Sequence, residues 1–157
     1  MSAALKLMGA CMLVLAGYAA GRQQAEKKRR KVQALEQLGR LMAYIQDEIT
    51  YRAAPLADIL AALPQNGGWQ ALRLEDCANL RELACPPYLE QAQWAVLGRF
   101  FRQLGQTTGQ ESARQYAYYQ KKCAGFLGEA QQEYRQAKQL YTKMGLCCGS
   151  LLALLLL

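Results

Sequence analysis

The chain has 157 residues, 52% of them hydrophobic, and a formal net charge of +7 at neutral pH. This length allows one domain with one modest core. Six positive charges against one negative lie between residues 22 and 31, whereas the twelve basic and eleven acidic residues from Val32 onward nearly balance. Because a nucleic-acid-binding protein carries its positive charge across the face that reads the nucleic acid, this uneven distribution argues against a nucleic-acid partner.

The first 21 residues form an apolar segment whose only charged residue is Lys6. About 20 apolar residues suffice to span a bilayer. The segment is followed by six basic residues, Arg22, Lys27, Lys28, Arg29, Arg30 and Lys31. Since positive flanks normally stay in the cytoplasm, the pattern predicts a transmembrane anchor followed by a cytoplasmic domain. A cleavable signal peptide is the alternative, but export would carry the whole basic cluster across the membrane.

The first long helix is predicted from apolar residues at three-four spacing, the pattern of a coiled-coil seam: Leu35, Leu38, Met42, Ile45 and Ile49. Gly39 interrupts the seam, which indicates that a neighbouring backbone comes close there. Pro55 ends this helix and starts a short second one. A third helix is predicted over residues 69–83, before Pro86 and Pro87. A fourth carries Phe100 and Phe101 and ends at Gly105, a helix-terminating glycine.

The fifth helix is predicted to begin at Thr108, which forms a capping box with Glu111. Its seam keeps four-three spacing through Tyr116, Gln120, Cys123, Leu127, Ala130, Tyr134, Ala137, Tyr141 and Met144. It then enters the apolar segment 144–157, which as a helix rises only about 21 Å against a hydrocarbon core of about 30 Å. That segment either spans with local thinning of the bilayer or stops partway. Lys143 flanks it on the domain side.

These elements predict an all-α fold, a helical bundle in which two long antiparallel helices lead into N- and C-terminal membrane segments. The predicted parts are a transmembrane segment at 1–21, a cytoplasmic helical domain at 22–143 and a membrane segment at 144–157. The chain has no histidine, and it has neither a Gly-rich phosphate loop nor cysteines at metal-binding spacing. We therefore expect no catalytic residue, no metal site, no cofactor and no small-molecule substrate.

Several short motifs, in their order and spacing, resemble a known family. They are residues 5–10 near the start, residues 48–51 followed by Pro55 and Leu56, residues 104–108, and a glutamine-rich helix that ends in Gly145 and an aliphatic tail. On these residues the whole chain is similar to stage III sporulation protein AB, and more distantly to the cytoplasmic domain of type II secretion F proteins. One departure is Thr108, where the family often has aspartate, although both residues cap helices.

The resemblance implies a non-enzymatic component of the sporulation transenvelope complex, in the outer forespore membrane with its helical domain in the mother-cell cytosol. There it would couple a secretion-type ATPase to the other membrane components of the channel. Two turns at the membrane-distal end are the expected partner contacts: Tyr51, Pro55, Leu56, Leu104, Gly105, Thr107 and Thr108. The alternatives are a general membrane scaffold of a type II secretion-like platform and an exported helical protein with a cleaved signal peptide.

Overall fold

The computed structural model describes residues 2–52, 55–63, 68–72, 74, 79–106 and 110–156. All regular structure in these ranges is helical, which confirms the all-α prediction. The elements in chain order are α1 (Ser2–Asp47), a π-helical turn (Glu48–Arg52), α2 (Leu56–Ala62), 3-10 turns at Gln70–Leu72 and Leu80–Glu82, α3 (Gln91–Gln103) and α4 (Gln110–Leu156). The chain divides into a central unit, residues 30–130, and a terminal unit, residues 1–29 with 131–157.

The hydrophobic core lies in the central unit and is built on the seam of α1. Four of the five predicted seam residues are fully buried, and Ala34 and Leu41 widen the buried stripe. A stripe of this width is typical of a helix that packs against several neighbours rather than one. The core is completed by side chains from the other elements, chiefly Ile59, Leu72, Leu80, Leu83, Leu89, Leu97, Phe100, Phe101, Tyr119, Cys123 and Ala130.

Helices α1 and α4 contact each other in both units, and in the terminal unit they run in opposite directions. In the central unit the thiol of Cys123 donates to the carbonyl of Leu35 at 3.6 Å. In the terminal unit Lys28 forms an ion pair with Glu133 at 2.6 Å, and Gly21 lies against the ring of Tyr141. In the terminal unit, the lower residue number on α1 therefore faces the higher number on α4, as in an antiparallel pair.

On α1, a side chain of α4 approaches the backbone closely at Gly21 and not at Gly39. A Cβ atom at Gly39 would meet only Cys123 Sγ, at an ordinary 3.7 Å, so the predicted close approach of a backbone there is wrong. At Gly21 a Cβ atom would lie 2.9 Å from Tyr141 Cδ1, closer than carbon atoms tolerate. The spacing of apolar residues cannot separate the two glycines, because the approach depends on what α4 presents opposite each.

The predicted third helix over residues 69–83 is also wrong for the residues the structure describes. The described residues form 3-10 turns at Gln70–Leu72 and Leu80–Glu82 instead. The second turn follows extended backbone at Asn79, whose side chain accepts from the N–H of Arg81 at 3.2 Å. Each turn directs one leucine into the core, Leu72 and Leu80. Burial of these leucines in the core outweighs the local helix propensity. Residues 73 and 75–78 lie outside the described ranges.

The helix ends follow the predicted turn chemistry where they are described. The carbonyl of Pro55 accepts from the N–H groups of Asp58 and Ile59 and so begins α2. After α3, Gly105 has a φ of +75°, which confirms it as the helix-terminating glycine. The capping box predicted at Thr108 lies outside the described residues.

In the part of the chain that the structure describes, no helix combines the length and the apolarity needed to cross a bilayer. Many side chains of the predicted membrane segments lie outside that part, among them residues 2–7 and 152–156.

Buried Cys123 is expected to resist alkylation in the native protein. Burial raises the pKa of its thiol from 9.0 to about 11, so at pH 8 only about one thiol in a thousand is the reactive thiolate. Since the folded pKa lies above the unfolded one, this thiol's contribution to stability is complete below about pH 9 and is lost as the pH rises towards 11. Mass-spectrometric peptide labelling with iodoacetamide, with and without urea, measures the protection.

Exposed Cys85 is the internal control, and it should be labelled without urea. Labelling of Cys123 as fast as Cys85 in the native chain would contradict the packing of α4 against α1 in the central unit.

Candidate partner-binding surface

The first turn of interest follows α1 directly, where the helix widens into a π-helical turn at Glu48–Arg52. Two i,i+4 contacts hold it: Arg52 Nη1 donates to Glu48 Oε1 at 3.3 Å, and Gln46 Nε2 donates to Thr50 Oγ1 at 3.1 Å. The wider turn leaves the ring of Tyr51 84% exposed. Short π-helical segments occur frequently at functional sites.

The second turn joins α3 to α4 and is held from its inner side by Arg81. The guanidinium donates twice to the carbonyl of Leu104, from Nε at 3.0 Å and from Nη2 at 2.7 Å. Backbone bonds from Leu104 to Phe101 and from Gln106 to Gln103 close the turn. A carbonyl that the helix itself leaves without a partner is thereby satisfied, so the turn is supported rather than loose.

The two turns meet around one small cavity of the central unit. Its volume is about 40 Å³, and its walls include Gln46 and Ile49 from the first turn region and Leu104 and Gly105 from the second. A cavity of this size holds a water molecule and no substrate. We call the outer side of these turns the two-turn surface, defined by the exposed residues Tyr51, Arg52, Gly105 and Gln106. Tyrosine and arginine, the residue types of Tyr51 and Arg52, are enriched at protein–protein interfaces.

A phenol lies just behind this surface, on α4. The pKa of Tyr116 is raised, first by burial and then by the nearby carboxylate of Asp47 at the end of α1. Its ring centroid lies 6.3 Å from that of Phe100, and the Phe100 ring meets Tyr119 edge-on at 5.7 Å. The Tyr119 hydroxyl donates to Gln103 at 3.2 Å. This aromatic cluster packs α3 against α4.

The predicted contact residues separate into three groups. Tyr51, Pro55 and Gly105 are exposed, as a contact residue must be. Leu104 is only 6% exposed, so its side chain packs in the core and the turn presents backbone and its neighbours instead. The side chain of Leu56 and both threonines, Thr107 and Thr108, lie outside the described part.

Four of the predicted membrane-flanking basic residues, Arg22, Lys27, Lys28 and Arg29, belong to the terminal unit and have exposed side chains. Lys143 is exposed there as well. The other two, Arg30 and Lys31, belong to the central unit and have a different environment.

Arg30 and Lys31 hold the segment that leads into α3. Arg30 donates to the hydroxyl of Tyr88 at 2.8 Å and lies 5.5 Å from the centre of its ring. The ammonium group of Lys31 forms an ion pair with Glu90 at 2.6 Å, and the lysine as a whole is only 7% exposed. The sequence did not predict this role, because no local motif marks partners 58 and 59 residues away. It did not predict the role of Arg81 either, whose partner is 23 residues away.

Among the described residues, no three side chains of the metal-binding types lie close enough together to share an ion. The prediction that the chain has no metal site, cofactor or catalytic residue stays a prediction.

The comparisons with known proteins agree with the chain's resemblance at the level of family. A model of the stage III sporulation protein AB family matches residues 6–78 and 77–157, which together include both turns and both ends of the helical pair. No curated protein and no solved structure matches the chain.

Proposed function

The chain belongs to the stage III sporulation protein AB family and so has a role in stage III of sporulation, and from this premise we propose that it is a non-enzymatic membrane-anchored component of the transenvelope complex. Its central unit binds the secretion-type ATPase of that complex, and its terminal unit attaches it to the outer forespore membrane beside the other membrane components. The general scaffold of a secretion platform outside sporulation is the reading that family membership disfavours.

The observation that carries the ATPase-binding proposal is the meeting of the two turns around one cavity. Ile49 in the first turn and Leu104 and Gly105 in the second belong to the segments that carry the resemblance, and these distant residues line the same small cavity. A tyrosine on a supported turn binds a partner at low entropic cost, and tyrosine is enriched among the residues that dominate binding energy. Tyr51 has this character because its ring is exposed while its backbone lies in a bonded turn.

Membrane attachment is supported by the outward face of the terminal unit. Met8, Met12 and Leu15 recur at four-three spacing on α1, and each is more than half exposed. Leu140, Met144 and Leu151 form a similar face on α4. Large exposed apolar side chains that recur on one helix face are typical of surfaces that meet lipid or another protein. The basic residues beside this face support a cytosolic location for the central unit.

The test of ATPase binding is Tyr51→Asp in the full chain, with co-purification of the complex's ATPase from sporulating cells as the measurement. We expect at least about a tenfold loss of ATPase, because an aspartate places a charge where an aromatic ring is desolvated on binding. Tyr118→Asp is the matched control, since Tyr118 is also an exposed tyrosine of the central unit but lies on α4, outside both turns. Equal retention of ATPase by both variants would remove the two-turn surface from the proposal.

Membrane attachment has a separate test in protease digestion of right-side-out and inverted vesicles, with an antibody against the central unit. Digestion only when the cytosolic face is exposed is the expected result, and digestion only from the other face would overturn the orientation. The intact mass of the extracted protein decides the signal-peptide alternative, because cleavage would remove about 20 residues.

A further inference from the structure

A cleft in the terminal unit brings together cationic and phenolic side chains from the two helices. It has a volume of about 370 Å³, and its polar lining comes chiefly from Arg22, Arg29, Lys138, Tyr18, Tyr134 and Tyr141. This volume lies within the range of about 300–1,000 Å³ typical of sites for small ligands. The two-turn surface belongs to the central unit and does not include these residues. The predicted topology signal includes Arg22 and Arg29 but requires no tyrosines beside them.

The net positive charge of the cleft favours an anionic ligand. Three cationic groups line it against one carboxylate, that of Glu26, which lies 3.8 Å from Arg29. An arginine can donate two parallel hydrogen bonds to a phosphate, and a tyrosine hydroxyl can donate a third. Guanidinium, ammonium and phenol groups around one opening thus match the oxygens of a phosphodiester.

One of the phenols is placed by the helix packing itself. Because Gly21 has no side chain, the ring of Tyr141 can approach α1 so closely that a Cβ atom there would lie 2.9 Å from its Cδ1 atom. Gly17, one turn earlier, has nothing within 4 Å of the same position. The ring therefore packs directly against α1, and Tyr141 lines the cleft beside this contact.

We propose that this cleft binds the phosphodiester headgroup of an anionic glycerophospholipid. The inference rests on the proposed membrane attachment, since Tyr18 lies at the end of the apolar segment and the exposed apolar faces of both helices belong to the same unit. Tyrosine is enriched where a membrane protein meets the headgroup layer, and basic pockets between helices bind anionic headgroups there. A bound lipid would hold the two helices together at the membrane surface.

The test titrates the full chain, purified in a neutral detergent, with phosphatidylglycerol and with phosphatidylcholine, and counts bound lipid by native mass spectrometry. Wild type should bind phosphatidylglycerol with clear preference over phosphatidylcholine. The double variant Arg22→Gln and Lys138→Gln should bind it at least about tenfold more weakly, because two charge-assisted contacts are lost. Tyr134→Phe removes a single hydroxyl, keeps the shape of the cleft and should weaken binding about two- to tenfold.

The matched control is the double variant Lys27→Gln and Arg135→Gln, which removes one lysine and one arginine from the same two helices. Both residues are exposed, and neither lines the cleft. We expect less than about a twofold change, because exposed charges outside a site act only through screened long-range attraction. Equal losses in the two double variants would overturn the proposal, since binding would then follow overall charge.

Inorganic phosphate separates a lipid site from a site for a free anion. Failure of phosphate to displace phosphatidylglycerol at matching concentration is the expected result, and displacement would overturn the lipid assignment. This experiment is independent of the ATPase. If the chain binds phosphatidylglycerol in its cleft but does not co-purify the ATPase, the proposed ATPase binding is contradicted and the lipid site is supported. If it co-purifies the ATPase but does not bind phosphatidylglycerol, the lipid site is contradicted and the proposed ATPase binding is supported.

Discussion

Replacing Phe101 with alanine is expected to lower the free energy of unfolding of the central unit by about 3–5 kcal/mol. Phe101 is 1% exposed, stacks on Trp94 at 6.1 Å between ring centroids and meets Phe100 edge-on at 5.3 Å. Its truncation removes apolar area from the core and leaves a cavity that α3 cannot close without shifting. Urea unfolding of the full chain, followed by tryptophan fluorescence, measures the effect.

Tyr51→Ala is the control for this experiment, because it removes an aromatic ring that is 84% exposed. Its expected effect on the unfolding free energy is within about 0.5 kcal/mol. A Phe101→Ala variant no less stable than Tyr51→Ala would show that α3 does not pack into the core as described. Because α3 ends in the turn at Leu104, a shift of α3 would also displace that turn. The Phe101→Ala variant should therefore weaken ATPase co-purification as well.

Replacing Glu90 with glutamine is expected to destabilise the central unit by about 1–3 kcal/mol, although Glu90 itself is largely exposed. The reason lies with its partner, Lys31, whose side chain is 9% exposed against 64% for the glutamate. Without the carboxylate, a buried ammonium group keeps its cost of desolvation and loses the ion pair that offsets part of it. Urea unfolding is again the measurement.

Lys31→Met separates this explanation from a simple loss of contact. Methionine keeps the length of the side chain and removes the buried charge, so we expect a cost below about 1 kcal/mol. The order of the two variants is the critical result. If Lys31→Met destabilised the protein more than Glu90→Gln, the ammonium group would contribute through contacts other than its ion pair.

The sequence was most informative where the evidence is periodic and local. The seam of α1 was predicted from three-four spacing, and Leu35, Leu38, Met42 and Ile45 are all fully buried. Gly105 was predicted as a helix terminator, and its positive φ agrees. Such signals succeed because the burial pattern of a long amphipathic helix and the need for a left-handed residue at its end are both set within one or two turns.

The segment between α2 and α3 was the least predictable part of the fold. Its buried leucines, Leu72, Leu80 and Leu83, pack into a core that is supplied largely by distant elements. A helix over 69–83 is a reasonable local reading, but the described residues form short 3-10 turns at Gln70–Leu72 and Leu80–Glu82. Local propensity loses there because burial of single leucines contributes more than a few additional helical hydrogen bonds.

The candidate site was predicted in part. Exposure of Tyr51, Pro55 and Gly105 is what a contact surface requires, and the family resemblance had placed these residues on two turns. The meeting of those turns around one cavity needed the structure, as did Arg81, which holds the second turn from a segment 23 residues away.

By itself, the sequence determined that the protein is helical, where its two long amphipathic helices run and where its positive charge is concentrated. Each of these properties depends on residues that are neighbours in the chain. Only the tertiary structure decided which basic residue is buried against a carboxylate, which glycine receives an aromatic ring and which cations share a cleft with tyrosines. Lys31 and Lys27 look alike along the chain, and so do Gly21 and Gly39. They differ in what α4 and the segment before α3 bring opposite them, and that depends on contacts between residues far apart in sequence.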